Sequence, residues 1–358
     1  MRVVQATATA PDSLVCIGRR VDERIGRLLD AEVARWAPVD AELIVPLEAL
    51  RDLVDGGGKR LRPAFCHWAF VGAGGDGDSP LVVDAGAALE LLHSFALIHD
   101  DIMDGSSTRR SMDTIHVRFE ELHALDGWRG EGRRFGEGVA LLVGDLAFVY
   151  ADALLAAAPR EAVAVFTELR VEVNLGQYLD LVGTARGDEG ETTARRISLF
   201  KSGKYTVERP LHLGAALAGR LHDLAGPLSG YGLPLGEAFQ LRDDLLGVFG
   251  DESVTGKPVG EDLREGKPTV LYAAARARVR AGDPGARSLD RYGAADLTDD
   301  EVVCIQEVLV ESGAVDHVEA TIDDRVAQAS VAVDAAPLTP EARTALIELA
   351  QFVAGRDR

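Results

Sequence analysis

Leu97-Ile98-His99-Asp100-Asp101-Ile102-Met103-Asp104 closes a long apolar run that begins near Leu81. The spacing of that run predicts a helix from Leu81 to Met103. Residues four apart on a helix lie about 40° apart around its axis, so Asp100 and Asp104 share a face with Asp101 beside them. Three carboxylates this close repel one another, and hard divalent cations with oxygen ligands relieve that repulsion. The alternative is a solvated acidic helix end. It is weakened because negative charge at a helix C-terminus opposes the macrodipole, and because the preceding residues are largely apolar.

A second acidic cluster has the same setting. In Phe239-Gln240-Leu241-Arg242-Asp243-Asp244-Leu245-Leu246-Gly247 an Asp pair closes another apolar helical segment. Gly250-Asp251, Thr255-Gly256-Lys257, Asp262-Leu263 and Glu265-Gly266-Lys267 follow it. Either cluster alone fits capping or surface charge. Two in one chain, on apolar helices that could face each other across a bundle cavity, point to metal binding. The third signal is basic: Gly56-Gly57-Gly58-Lys59-Arg60-Leu61-Arg62-Pro63. Glycines let a ligand approach the backbone, Lys and Arg donate to phosphate oxygens, and the helix start expected at Pro63 favours an anion. The stretch does not fit a P-loop, because no Lys-Ser or Lys-Thr follows a spaced glycine pair. Arg109 and Arg110 follow the first Asp cluster, and Lys201 and Lys204 flank Ser202-Gly203. Acidic clusters call for cations, and basic clusters call for an anion that those cations leave unneutralised. A substrate with a diphosphate head and a hydrocarbon tail satisfies both, and the apolar helices as well.

The rest of the chain reads as helix. Helical spacing covers 21–36, 43–54, 63–71, 139–157, 162–181, 193–201, 205–218, 234–249, 269–279, 299–312, 314–331 and 340–354, with breaker clusters at 72–80, 126–138, 183–190 and 281–292. No strand alternation and no fixed-period repeat stands out. The expected fold is all-α, a single large helical bundle with a central cavity over residues 21–358, preceded by a flexible leader at 1–20. The most apolar region, 138–158, is interrupted by Asp145 and Asp152 and predicts a buried core helix rather than a membrane span. A net charge of −20 argues against general binding to nucleic acid or to anionic membranes. Cys16, Cys66 and Cys304 lack metal-ligand spacing and read as free thiols of a cytoplasmic chain, with no secretory pattern at the N-terminus.

Taken in order, these motifs resemble those of the trans-isoprenyl diphosphate synthases, from about Val54 to Leu271. Gly57 to Pro63, Asp100-Asp101-Ile102-Met103-Asp104, Arg109-Arg110, Gly176 to Leu181, Lys201-Ser202, Phe239-Gln240 with Asp243-Asp244, Lys257 and Lys267 carry the likeness. The resemblance implies magnesium on the allylic diphosphate, held by Asp100, Asp104 and Asp243 and less directly by Asp101, with Asp244 beside them. It implies that Arg109, Lys201 and Lys257 contact that diphosphate. Lys59, Arg62, His93 and Arg110 would hold isopentenyl diphosphate. Gln177, Asp180 and the backbone at Lys201-Ser202 would face a developing carbocation, and Gln240 and Lys267 belong to the substrate-binding set. It also implies a homodimer. Three departures stand out: Gly247 replaces the third Asp of the second motif, Ser111 replaces the Gly after the paired arginines, and Ser202 replaces Thr.

Phe95 lies five positions before Asp100 and Ala96 four. In the resembling family that combination, without an insertion in the Asp motif, accompanies geranylgeranyl diphosphate as product. Phe95 also fits ordinary core packing. Farnesyl or longer polyprenyl diphosphates are the alternative products. A class I terpene cyclase would need no second diphosphate site at Lys59 and Arg62, and it normally carries a Ser or Thr where Gly247 stands. A non-catalytic partner subunit would be expected to have lost acidic or basic motifs, and this chain keeps both Asp pairs.

Overall fold

The structure, a computed structural model, describes residues 9–110, 112–187, 190–250, 260–280, 282–294 and 296–355. Lys257 and Ser111 lie outside the described residues. The fold is all-α. The described residues contain one strand pair, two residues on each side, antiparallel between β1 (Thr108–Arg109) and β2 (Met112–Asp113). The backbone divides into two compact units, the first built from Asp12–His67 and Gly75–Pro159, the second from the described parts of Trp68–Gly74 and Arg160–Arg358 with residues 9–11.

The first unit contains α1 (Asp12–Trp36), α2 (Val45–Asp55), the first half of α3 (Leu61–Gly72), α4 (Pro80–Asp104), α5 (Ile115–Leu125) and α6 (Gly132–Leu154). α1 starts at Asp12, so the loose leader does not extend to residue 20: Leu14 and Ile17 continue the buried stripe of Val21, Ile25 and Leu29. α5 carries no clear sequence signal because two of its four buried positions are His116 and His123. α6 begins inside the expected breaker 126–138. Gly136 faces α5 so closely that a Cβ there would lie 2.1 Å from the His116 carbonyl oxygen, so the glycine serves packing and not a turn. α6 is not wholly buried as expected, since Leu142 and Val149 are 62% and 57% exposed. α4 is apolar enough to cross a bilayer, but 61% of its most apolar window is buried inside the protein, the mark of a core helix.

In the second unit, α7 (Arg160–Arg186) runs on through Gly183, and α8 (Glu191–Ile197) leads into an eleven-residue π-helical segment, Ser198–Glu208. α9 (Arg209–Leu217) and α10 (Leu221–Phe249) follow. α10 starts thirteen residues before the expected Pro234 and carries both Pro227 and Pro234 inside it. Each proline removes a helical hydrogen bond. Burial of Leu224, Leu228, Tyr231 and Leu235 outweighs that loss, and the Tyr231 hydroxyl donates to the Leu346 carbonyl at 2.6 Å. Short helices at Glu261–Glu265, Val270–Arg278 and Pro284–Leu289 and longer ones at Asp299–Glu311, Ala314–Asp334 and Pro340–Gly355 complete the unit. Their core gathers Leu241, Leu245, Leu271, Ile305 and Ile322.

The π segment is clamped at backbone distance from both sides. A Cβ on Gly176 of α7 would lie 2.4 Å from the Lys201 nitrogen, and one on Gly236 of α10 would lie 2.6 Å from the Gly203 Cα. Gly236→Ala is therefore expected to cost about 1–3 kcal/mol, the scale of overpacking a core. Gly230→Ala on the same helix, whose Cβ would meet only the Ala332 Cβ at 3.6 Å, serves as the control and should be neutral or slightly stabilising. Denaturant unfolding of both variants reads the difference.

Candidate active site

α4 delivers the first acidic cluster. Asp100 and Asp104 are half-buried, whereas Asp101 is only 4% exposed. Arg109 closes on Asp101, its Nε donating to both carboxylate oxygens at 2.7 and 2.9 Å, with a terminal nitrogen 4.0 Å from Asp100. The β1–β2 hairpin sets this contact, pairing Arg109 with Met112 on either side of the turn that holds Arg110. Arg110 has a φ of 54° and donates to the Leu53 carbonyl at 3.3 Å.

The glycine-rich stretch lies between α2 and α3, and its arginines divide the work. Arg60 is buried and committed to the protein. It donates to Asp22 at 2.8 Å, to Glu90 at 2.9 Å and to the Val54 carbonyl at 2.8 Å. Lys59 is exposed and Arg62 half-buried. A Cβ on Gly58 would fall 2.8 Å from Arg60 Nη1 and 3.1 Å from Arg110 Nη2, so only glycine lets the two guanidinium groups flank the loop. Arg60 and Arg110 are the non-glycine residues with φ in the left-handed region among the described residues. Such strain persists where surrounding contacts over-determine it, commonly at functional sites.

His93, one turn after Glu90 on α4, completes the group. Burial first, then the charges of Arg62, Arg110, Arg109 and Arg60, hold its imidazole well below its ordinary pKa, so it is neutral at pH 7. Burial and Arg60 likewise lower Arg110, with Arg109 and Arg62 adding and Glu90 opposing. The cations around His93 thus destabilise one another, and an anion bound there relieves the cost. Phe95 packs its ring 4.5 Å from His99 and 4.9 Å from Phe148 of α6. Ala96 beside it is half-buried.

The second unit holds the remaining expected residues except Lys257. Gln177 is half-buried on α7, and Lys201 Nζ lies 2.6 Å from the buried Asp180 carboxylate. Ser202 is buried in the clamped π segment. Asp243 is half-buried near the end of α10, whereas Asp244 is buried and accepts from Gln240 at 2.8 Å. Burial pushes the Asp244 carboxyl up to about 8 against that hydrogen bond, and the charges of Asp262 and Asp243 push the same way. Asp244 is therefore largely protonated at neutral pH. Lys267 lies 2.5 Å from Glu265 and 3.8 Å from Asp262.

Three supporting carboxylates escaped the sequence reading. Glu90 holds Arg60. Glu172, 5% exposed, accepts from Lys204 and, at 2.6 and 2.7 Å, from Arg209. Glu319 takes both terminal nitrogens of Arg242 at 2.7 and 2.8 Å. Glu90 interrupts the apolar stretch Ala87–Leu92, which is the signal that could have marked it, whereas Glu172 sits among other polar residues and carries no such signal.

Among the described residues, no three His, Cys, Asp or Glu side chains form a metal cage of their own. Asp100 and Asp104 still present two hard oxygen donors on one helix face. That fits magnesium, which takes one or two protein carboxylates and fills its octahedron with phosphate oxygens and water.

Comparison with known proteins agrees. The family model described as Polyprenyl synthetase matches residues 45–303. The chain is 32% identical to the geranylgeranyl diphosphate synthase of Methanosarcina mazei over 87% of its own length and 89% of the relative's. It is 31% identical to the geranylfarnesyl diphosphate synthase of Aeropyrum pernix over 75% and 80% of the two chains. Its backbone matches the crystal structure of geranylgeranyl pyrophosphate synthase from Corynebacterium glutamicum complexed with isoprenyl diphosphate and magnesium. That match has a TM-score of 0.91 and 36% identity, and covers 96% of this chain and 99% of the other. The ordered motifs, the all-α fold and these likenesses lead to one assignment: this chain belongs to the polyprenyl synthetase family.

Proposed function

We propose that the protein is a magnesium-dependent prenyltransferase that condenses isopentenyl diphosphate with an allylic diphosphate, with geranylgeranyl diphosphate as its main product. The observation that carries this reading is the cluster of Arg62, Arg109 and Arg110 around neutral His93, in the same unit as the Asp100–Asp104 face. Few substrates need a cationic site and a cation-binding site together, and a pair of prenyl diphosphates does.

The division of labour follows from charge. Lys59, Arg62 and Arg110 hold the diphosphate of the isopentenyl substrate, and His93 adds a hydrogen bond without adding charge. Asp100, Asp104 and Asp243 would hold magnesium for the allylic diphosphate, while Asp101 would aim Arg109 at it and Lys201 and Lys257 would add positive charge. Bound magnesium would draw off the negative charge that grows on the departing diphosphate. The leaving group takes the bonding pair, and the allylic carbon becomes cationic. The Gln177 amide, Asp180 and the carbonyls of the π segment at Lys201-Ser202 stabilise that carbon inside an apolar surround. The isopentenyl double bond supplies the electrons of the new carbon–carbon bond, and the released diphosphate takes the proton that is lost. Gln240 and Asp244 brace the end of α10, and Lys267 serves the substrate-binding loop. The whole forms one functional domain, assembles as a homodimer and works in the cytoplasm. The exposed Leu141, Leu142 and Val149 of α6 support the dimer, because association would remove them from water.

EDTA should abolish turnover and magnesium restore it. Asp100→Ala and Asp243→Ala should each lower turnover by about a hundredfold or more, the scale of lost transition-state electrostatics. Arg62→Ala should instead raise the KM for isopentenyl diphosphate. Steady-state kinetics with both substrates varied separates these effects, and full activity in a chelated sample would sink the mechanism.

Product length offers a separate test. Phe95→Ala should lengthen the products and Ala96→Phe shorten them toward farnesyl diphosphate, read by chromatography. An unchanged distribution in both variants would remove this helix from control of chain length. Light scattering under assay conditions should give twice the mass of the chain, and a monomer would contradict the dimer.

A further inference from the structure

Glu172, Gly176 and Asp180 form one stripe of α7, each four residues from the next and so on one helix face. The stripe lies along the π segment. Asp180 takes the Lys201 side chain at 2.6 Å, and Gly176 meets the Lys201 backbone. Glu172 has no part in the proposed reaction, yet it holds two cations at once. Its carboxylate accepts from Lys204 and, at 2.6 and 2.7 Å, from Nε and Nη2 of Arg209. Burial raises the Glu172 carboxyl, but the bonds from Arg209 and Lys204 outweigh it and hold the group below its ordinary pKa.

Lys204 and Arg209 are five residues apart. On an α-helix that spacing sets them about 140° apart around the axis, on different faces. Here they stand together, because the Arg209 N–H donates to the Lys204 carbonyl and closes an i→i+5 turn. The contact with α10 shows the same match. Gly236 and Gly232, four apart on α10, back onto Gly203 and Glu208, five apart in the segment. A Cβ on Gly232 would lie 2.9 Å from the Glu208 Cα, and the Ser229 hydroxyl donates to the Glu208 carboxylate at 2.6 Å.

We propose that Glu172 is a register latch: by holding Lys204 and Arg209 together it keeps Ser198–Glu208 in π register and so positions Lys201 and Ser202. A π-helix of this length is rare and needs contacts beyond its own backbone to persist. Relaxation to α-helical winding would turn Lys201 and Ser202 by about 100° relative to α9, the rotation of one residue. That turn would carry Lys201 off the α7 stripe and break its bond to Asp180. Glu172 is thus a positioning residue, acting on the reaction through the backbone it holds. Its catalytic consequence rests on the proposed function, whereas its hold on the segment does not.

Hydrogen exchange of the full chain, followed by mass spectrometry, reads how firmly the segment is held. Glu172→Gln keeps the shape and removes the charge. It should speed exchange in peptides spanning 198–209 by about tenfold or more, a fraction of the cost of unpairing a buried ion. Lys204→Met leaves Glu172 with Arg209, which protects the fold, and should speed the same peptides. Arg325→Gln breaks the 2.6 Å contact of Arg325 Nε with Glu237 in the same unit and should leave them at the parent rate. In steady-state kinetics Glu172→Gln and Lys204→Met should each lower kcat by about a hundredfold, the scale of a misplaced reacting geometry. The KM for isopentenyl diphosphate should stay at the parent value, because Lys59, Arg62, His93 and Arg110 belong to the first unit. Parent-like exchange in both variants would overturn the latch. Faster exchange with parent kcat would overturn it too, by reducing the ion cluster to a structural one. A parent chain without turnover would instead overturn the proposed function, and the exchange rates would still decide whether Glu172 holds the segment.

Discussion

Arg60 gathers three elements with one guanidinium group. It bonds Asp22 on α1, Glu90 on α4 and the carbonyl of Val54 near the end of α2, at 2.8 to 2.9 Å. A buried cation is tolerable only when its donors are satisfied, and removing one partner of such a set typically costs about 3–5 kcal/mol. This contact fixes the glycine-rich stretch in space and with it Lys59 and Arg62. It also gives the Glu90 turn of α4 a reason to carry charge inside an apolar helix. His93 lies on the next turn and Asp100 two turns further on, so the anion site and the first acidic face hang from the same anchored rod.

The protein keeps like charges together by pairing them with opposite charges. Asp101 takes Arg109, Glu90 takes Arg60, Asp180 takes Lys201 and Glu319 takes Arg242. Asp244 is neutralised by a proton instead. On the basic side Arg62, Arg109 and Arg110 gather around His93. An overall charge of −20 makes this segregation necessary, since an anionic substrate meets a repulsive surface except where arginines are concentrated.

Backbone proximity is the other recurring device. Gly176 and Gly236 hold the π segment from both sides, and Gly58 makes room for two guanidinium groups. In each case the missing side chain brings functional atoms closer than any other residue would allow. A π segment pairs its backbone i→i+5 instead of i→i+4, and such segments recur at functional sites.

The sequence by itself determined the helical class, the order of the motifs and the chemistry they call for. Those features are local: the 3.6-residue period, the Asp pairs at the ends of apolar runs and the Gly–Lys–Arg stretch are all legible within a few residues. It also marked Gly247 as a departure without saying what met it. Tertiary structure decided the rest, because the deciding contacts join residues far apart in the chain. It closed Arg109 on Asp101 and committed Arg60 to Asp22, Glu90 and the Val54 carbonyl. It carried α10 through two prolines, because burial outweighed the lost hydrogen bonds. It started α1 nine residues early on the strength of Leu14 and Ile17, and built α5 on buried histidines that hide the apolar period. It placed Asp262 against Gly247, fifteen residues away in sequence, a neighbour that packing and not spacing settles.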